Sequence, residues 1–452
     1  MTRFDPAGPL RGLLHPPADK SISHRAALIA AMGTGETTVE GYLDAADTLS
    51  TLKAVEELGA EVDRSPISRV NVGGSPRFPG RMPAGTPDPV FRIRGAGLRG
   101  PRPAEIDVGN AGTLLRLLPG WLAGQDGGEW TLDGDDSIRR RPVDRIAAPL
   151  REMGADLSAR DNRLPPLRVR GAPLHGVTYE MPIASAQVKS CLLFAGLLAE
   201  GETRVVEPLP SRDHTERMLA AAGARIERST DATGRSVVTI HPAERLEPGA
   251  IVVPADISSA AFFVVAGLLA PGSEVELLGV GVNPTRTGIL TILERMGAAI
   301  EIEPRGEEGG EPIADLLVRS VPLRATEVGG AEVPLAIDEL PLVALAACFA
   351  DGTTTIRDAA ELRRKESDRV ETVSAALNAL GGEVEPTADG MVVTGTGGLR
   401  GGTIDSHGDH RIAMLGAVAG LASRDGVEVV GMDAAAVSYP GFEADLGSLL
   451  GN

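Results

Sequence analysis

Lys20, Ser21 and Arg25 stand together in Asp19-Lys20-Ser21-Ile22-Ser23-His24-Arg25, directly ahead of an apolar run that ends at Met32. A helix starting there would point free backbone N–H groups outward beside an ammonium and a guanidinium. That combination holds a phosphate or a carboxylate. The same arrangement recurs. Asn110-Ala111-Gly112-Thr113 opens an apolar run with Arg116 one turn in, and Gly112 would let a ligand approach the backbone. Ser185-Ala186-Gln187-Val188-Lys189 offers hydroxyl and amide donors at a third helix start, and His410-Arg411 opens a last one. A helix cap needs one Ser, Thr, Asp or Asn, and these starts carry more polar chemistry than that. The plain alternative is a set of capped helices with solvated cations.

Further basic clusters follow the same logic. Arg212-Asp213-His214-Thr215-Glu216 precedes an amphipathic stretch, and Arg139-Arg140-Arg141-Pro142 is a basic run in an acidic protein. In Arg363-Arg364-Lys365-Glu366-Ser367-Asp368-Arg369, helical spacing would put Lys365, Glu366 and Arg369 on one face. Together the clusters gather cations and a few carboxylates at element ends. A reaction joining two multiply anionic substrates needs that: cations offset substrate repulsion, and carboxylates with lysine move protons. Asp338, Glu366 and Lys365 are the proton-transfer candidates. A protein that only bound anions would have no use for Asp338 and Glu366. His410, at a helix start beside Arg411, has a lowered tendency to protonate and is a candidate donor. The sequence contains no Gly-x4-Gly-Lys-Ser/Thr loop, no dinucleotide fingerprint and no His/Cys metal cluster.

The elements that must position these residues repeat. An apolar helix, a glycine-rich stop and a short strand occur six times, beginning near Asp19, Asn110, Ser185, Asp256, Asp338 and Gly408. An amphipathic helix, a Gly-Ala-like break and an alternating strand come between them, at Leu52–Asp63, Leu150–Ser158, Met218–Glu227, Leu290–Glu303 and Val373–Glu385. Phe442–Leu450 reads as the matching helix of the sixth copy. The spacing predicts an α/β protein of two domains, each three repeats of a two-helix, mixed-sheet unit. One would comprise residues 19–250, and the other residues 1–18 plus 251–452, with the N-terminal stub pairing back. Pro16-Pro17-Ala18 and Pro248-Gly249-Ala250 are the expected crossovers, with the site in a cleft between the domains. Pro66–Pro103 is Gly/Pro-rich and reads as a surface loop or hairpin.

Bulk properties agree. The chain has 452 residues, too many for one ordinary core. Aromatics are only 3%, so the cores must be built from Ala, Leu, Val and Ile. A net charge of −18 argues against nucleic acid, and it requires an anion site to gather its cations locally. Cys191 and Cys348 sit in apolar runs as small hydrophobes. No apolar leader and no membrane-length apolar run occur, so the reducing cytoplasm is expected. The chain is expected to act as a monomer.

Four of these motifs carry a resemblance: Asp19-Lys20-Ser21-x-Ser23-His24-Arg25, Gly109-Asn110-Ala111-Gly112-Thr113, Arg363-x-Lys365-Glu366-Ser367-Asp368-Arg369 and Asp409-His410-Arg411-Ile412-Ala413-Met414. On them the chain resembles the enolpyruvyl transferase family, from Lys20 to Ser438-Tyr439-Pro440-Gly441-Phe442. The resemblance implies two inverse α/β domains and transfer from phosphoenolpyruvate to shikimate 3-phosphate, with no metal or organic cofactor and with glyphosate as a candidate inhibitor. It gives shikimate 3-phosphate to Lys20, Ser21, Arg25, Ser185, Ala186, Gln187, Arg212, Asp338 and Lys365. It gives phosphoenolpyruvate to Lys20, Gly112, Arg141, Gln187, Arg369 and Arg411. Lys20, Asp338, Glu366 and His410 become the catalytic set, with Asp338 as base. A sister branch acting on a UDP-N-acetylglucosamine acceptor carries a reactive loop cysteine, and Pro66–Arg102 and Arg139–Arg141 contain none. Where many members have a lysine near the C-terminus, this chain has Val437.

Overall fold

The fold follows from an apolar helix that has no polar face to show. The computed structural model describes residues 1–65 and 89–450. Every residue of the helix Ile257–Leu269 is buried, as is every residue of Leu340–Cys348. A helix apolar all round must be wrapped on all sides. Here each such helix is covered by a small sheet and by its counterparts in neighbouring repeats. The six are Lys20–Met32, Gly112–Ala123, Ala186–Gly196, Ile257–Leu269, Leu340–Cys348 and His410–Ala422. The amphipathic helices that alternate with them are Ala46–Glu57, Asp144–Glu152, His214–Ala221, Gly288–Arg295, Arg369–Ala379 and Phe442–Leu449.

Among the described residues the strands form six sheets, five of four strands and one of three. The four-stranded sheets share one pattern, a parallel pair extended by an antiparallel hairpin. In the first, Ala250–Val252 lies parallel to Glu36–Glu40, which pairs antiparallel with Val90–Arg94 and through it with Glu61–Ser65. Ser65 opposes Val90, so the described ends of the Gly/Pro-rich stretch are tied into a hairpin. Residues 66–88 of that stretch lie outside the described residues. The three-stranded sheet lacks a C-terminal hairpin. Its Val427–Val430 strand takes Thr2–Phe4 as its antiparallel neighbour instead. Arg11–Leu14 lies parallel to Glu274–Gly281, so the N-terminal residues belong with the second group of repeats.

Two separate apolar cores result. One joins residues between Ala18 and Val253, and the other joins Leu10, Leu14 and residues between Ile257 and Leu449. The chain crosses between them twice, side by side. The Asp19 amide donates to the Pro254 carbonyl at 2.8 Å, and the Asp256 amide donates to the Pro17 carbonyl at 2.8 Å. Ile251 and Val253 still pack in the first core, so the second crossing falls a few residues beyond position 250.

One local expectation is corrected. Lys365, Glu366 and Arg369 do not share a helical face. A short 3-10 turn, Ala360–Arg364, ends before them, and the helix begins only at Arg369. The Asp368 carboxylate caps it by accepting from the Val370 and Glu371 amides, leaving Lys365–Ser367 as a loop.

The helices Gly112–Ala123 and Ala186–Gly196 meet where Gly120 faces a peptide carbonyl. A Cβ at Gly120 would lie 2.1 Å from the Cys191 oxygen. Gly120→Ala should therefore cost about 1–3 kcal/mol through overpacking. Urea unfolding should show a lower midpoint with an unchanged slope.

Candidate active site

Asp338 precedes the buried helix Leu340–Cys348, and three cations from both halves converge on its carboxylate. Lys365 Nζ lies 3.0 Å from Oδ1, Arg369 Nη1 3.4 Å from Oδ1, and Arg212 Nη2 2.5 Å from Oδ2. Arg411 Nη1 donates to the Asp338 backbone carbonyl at 2.9 Å. Burial alone would favour the protonated acid, but the surrounding cations, Lys365 first, hold Asp338 well below the usual carboxylate range.

Arg369 is the hub of the second-half residues. Its guanidinium is buried, and it contacts Glu366 at 2.6 Å and Asp409 at 2.9 Å as well as Asp338. Burial works against its charge, but Asp409, Glu366 and Asp338 together raise its affinity for the proton. Glu366 is likewise held well below its ordinary range. Burial opposes this, and the cations Arg369, Arg141 and Lys20 outweigh it. Asp409 caps the last buried helix by accepting from the Arg411 amide, which fixes the start of the His410–Ala422 helix against Arg369.

The first-half residues meet this hub across the seam. Arg141 Nη1 lies 3.7 Å from Glu366 Oε1. The same guanidinium crowds Gly112: a Cβ there would be 2.7 Å from Arg141 Nη1 and 3.2 Å from Arg116 Nη1. Arg116 donates to Gln187 Oε1 at 3.1 Å, and Gln187 Nε2 donates to Thr113 at 3.2 Å. Contacts thus run from Gln187 to Arg116 and from Arg141 through Glu366, Arg369 and Asp338 to Arg411, with the Arg116 and Arg141 guanidiniums side by side over Gly112. Lys20 pairs with Asp47 at 3.2 Å, and its charge acts on Glu366 and His410. His410 is buried, and desolvation, then Lys20, lowers its pKa to about 3, so the imidazole is neutral near pH 7.

The sequence-predicted residues divide into two groups. Lys20, Arg141, Gln187, Arg212, Asp338, Lys365, Glu366, Arg369, His410 and Arg411 belong to this one electrostatic system. Ser185 caps its helix, accepting from the Val188 amide, and the Ala186 carbonyl accepts from Ser190. Arg25 differs from the other cations. It is 2% exposed and donates to the Ser21 carbonyl, Thr215 and Ser190, with burial lowering its pKa to about 10. Of the basic run, Arg139 and Arg140 are exposed and Arg141 alone turns in. Asp213, His214 and Glu311 have ligand-type atoms within 4.8 Å of one another. Asp213 already pairs with Arg217, Arg228 and Asn283, and Glu311 with His214 and Asn283. That group reads as a contact between the halves.

The sequence model of the family described as EPSP synthase (3-phosphoshikimate 1-carboxyvinyltransferase) matches residues 4–83 and 86–446. The chain belongs to the EPSP synthase family. A 3-phosphoshikimate 1-carboxyvinyltransferase of Geobacter sulfurreducens is 48% identical over 442 residues, 97% of this chain and 96% of that one. Another, of Roseiflexus castenholzii, is 49% identical and covers 96% of each chain. Among solved structures, EPSP synthase from Acinetobacter baumannii is similar with a TM-score of 0.82 and 39% identity, over 99% of this chain and 98% of that one. The enolpyruvyl transferase NikO from Streptomyces tendae shares the fold, with a TM-score of 0.76 at 17% identity.

Several residues of this EPSP synthase-family site were not found from the sequence. Asp409 sits in a motif that drew notice for His410-Arg411, and its role as the second carboxylate on Arg369 needed the helix geometry. Asp47 lies in an ordinary stretch, and Glu339, beside Asp338 at the start of an apolar helix, has no role that its neighbours in sequence assign. The Arg145–Glu361 pair, bidentate at 2.9 Å, ties the halves together beside Arg141 and Glu366 from positions far apart in sequence.

The depressed histidines set an acid limit. His410 and His24 both stay neutral when folded, with pKa lowered to about 3, whereas the unfolded chain protonates near 6.5. Their contribution to stability is therefore lost as pH falls below about 6.5. His410→Gln should shrink the loss of unfolding free energy between pH 7.5 and 5.5 by about 1.4 kcal/mol. Urea titrations at the two pH values read this directly.

Proposed function

We propose that this chain transfers the enolpyruvyl group of phosphoenolpyruvate to the 5-hydroxyl of shikimate 3-phosphate, releasing phosphate, as a step toward the aromatic amino acids. The observation that carries the reading is Asp338, an ionised carboxylate held among Lys365, Arg212 and Arg369 from both halves. A pure anion site would exclude a carboxylate. A site that must bind anions and also remove a hydroxyl proton needs one.

In this reading the ligand sets are those implied by the resemblance. Lys20, Ser21, Arg25, Ser185, Ala186, Gln187, Arg212, Asp338 and Lys365 hold shikimate 3-phosphate. Lys20, Gly112, Arg141, Gln187, Arg369 and Arg411 hold phosphoenolpyruvate. Asp338 takes the 5-hydroxyl proton as the oxygen bonds to C2 of phosphoenolpyruvate. The C2–C3 electron pair takes a proton at C3 from the Lys20 ammonium, giving a methyl group. Glu366 then removes a methyl proton as the C2–O bond to phosphate breaks. The electron pair of that bond leaves with phosphate, and the C2–C3 double bond re-forms. Asp338 and Glu366 each give up one proton; one returns to Lys20 and the other leaves with phosphate. His410, uncharged, serves as a hydrogen-bond donor beside Glu366.

The electrostatics suit this sequence. In the free protein the cations keep Asp338 and Glu366 ionised and weakly basic. Two polyanionic substrates would take over those cations, so both carboxylates become stronger bases only when the site is full. The enzyme would work in the cytoplasm as a monomer without metal or organic cofactor, with glyphosate as a candidate inhibitor.

Phosphate release from phosphoenolpyruvate should require shikimate 3-phosphate, and Lys20→Met should abolish it. Turnover retained by that variant would sink the assignment. Asp338→Ala should lower kcat by about a hundredfold or more while weakening shikimate 3-phosphate far less in calorimetry. Equal losses of rate and binding would remove the base role.

A further inference from the structure

Glu339 follows the proposed base directly but points away from it. It is fully buried, and one of its oxygens, Oε1, is shared by two groups from other elements. Ser258, in the first turn of the helix Ile257–Leu269, donates its hydroxyl to Oε1. Arg411 Nη1 lies 3.5 Å from the same oxygen while donating to the Asp338 carbonyl at 2.9 Å. The other oxygen, Oε2, has no hydrogen-bond partner among the described residues.

Behind Ser258 stands Arg286. Its Nη2 donates to Ser258 Oγ at 2.7 Å and to Asp256 Oδ1 at 3.0 Å, and its Nη1 lies 3.4 Å from Asp19 Oδ2. Asp19 and Asp256 cap the two helices that begin at the crossovers. A series of named contacts thus runs from the crossovers through Arg286, Ser258 and Glu339 to Arg411, which the Asp338 carbonyl also holds.

We infer that Glu339 is a positioning residue, whose buried carboxylate fixes the Arg411 guanidinium for the anion of phosphoenolpyruvate and ties that cation to the crossover pair. The inference rests on the reading given above for Arg411. A long arginine loses much rotamer freedom when it is held. Held by Glu339 and the Asp338 carbonyl, it meets the ligand already ordered. Without the carboxylate it is free to turn toward Asp338 or Asp409, the remaining anions beside the hub.

The test uses steady-state kinetics on the whole enzyme with Glu339→Gln, which keeps the shape and removes the charge. The KM for phosphoenolpyruvate should rise about tenfold, the value of one charge-assisted contact. The KM for shikimate 3-phosphate and kcat should stay within about threefold. Ser258→Ala, a smaller change in a helix that keeps its Asp256 cap, should raise the phosphoenolpyruvate KM in the same direction by less, and it decides the matter if Glu339→Gln fails to fold. A phosphoenolpyruvate KM within twofold of wild type overturns the inference. So do equal shifts in both KM values and kcat together with a lower melting temperature, because that pattern marks a merely structural role. Wild-type enzyme that releases no phosphate with both substrates overturns the underlying reading itself. Wild-type turnover with an unmoved Glu339→Gln profile overturns only the positioning role.

Discussion

Arg286 is buried between Asp19 and Asp256, and the relation of the two halves depends on that triad. The two crossover segments run side by side, linked by reciprocal backbone hydrogen bonds. Each then starts a buried helix with an aspartate cap. Two capped helix N-termini would bring two carboxylates together in a dry seam, which is unfavourable without a counter-charge. Arg286 supplies it. The result is uneven: burial pushes Asp19 up but Arg286 and other positive groups outweigh it and lower it, whereas burial and the neighbouring Asp19 raise Asp256. The arrangement is a fixed point about which the helix starts of both halves are aimed.

Those helix starts explain how an acidic chain holds anionic ligands. The net charge of −18 is spread over the surface, while the seam collects Lys20, Arg116, Arg141, Arg212, Lys365, Arg369 and Arg411. Inward-facing helix N-termini add the positive end of their dipoles. In the free protein this excess is partly met by Asp338, Glu366 and Asp409, all held ionised. The carboxylates therefore act twice in the proposed reaction: they keep the empty site from repelling itself apart, and they become bases once substrates displace them as counter-charges.

The repeats also show how a fold with very few aromatics packs. Helices of Ala, Leu, Val and Ile are slim, so neighbouring backbones come close. At Gly120 a carbonyl occupies the space a side chain would need. At Gly112 the same closeness serves the site, since Arg141 and Arg116 lie over the bare Cα. Helix packing and the seating of the two guanidiniums thus use one device, a helix without a Cβ at the point of contact.

Much of this was legible in the sequence because it is local. Six apolar helices, their glycine stops and their strands follow from periodicity, and the strand Val427–Val430 falls where that pattern puts it. The cap residues Asp19, Ser185, Asp256 and Asp409 follow from what a helix start requires. The cations at the helix starts are equally local and can be read from the chain alone. Tertiary structure decided the rest, because it depends on which chain ends meet. Sequence spacing suggested a helical face for Lys365, Glu366 and Arg369, yet the Asp368 cap breaks that helix and the fold reunites the three around Asp338 and Arg369 itself. Nothing local tells what Asp47, Glu339 or Arg286 will pair with. Their partners lie tens to hundreds of residues away, and only the packing of one repeat against another brings the charges within reach.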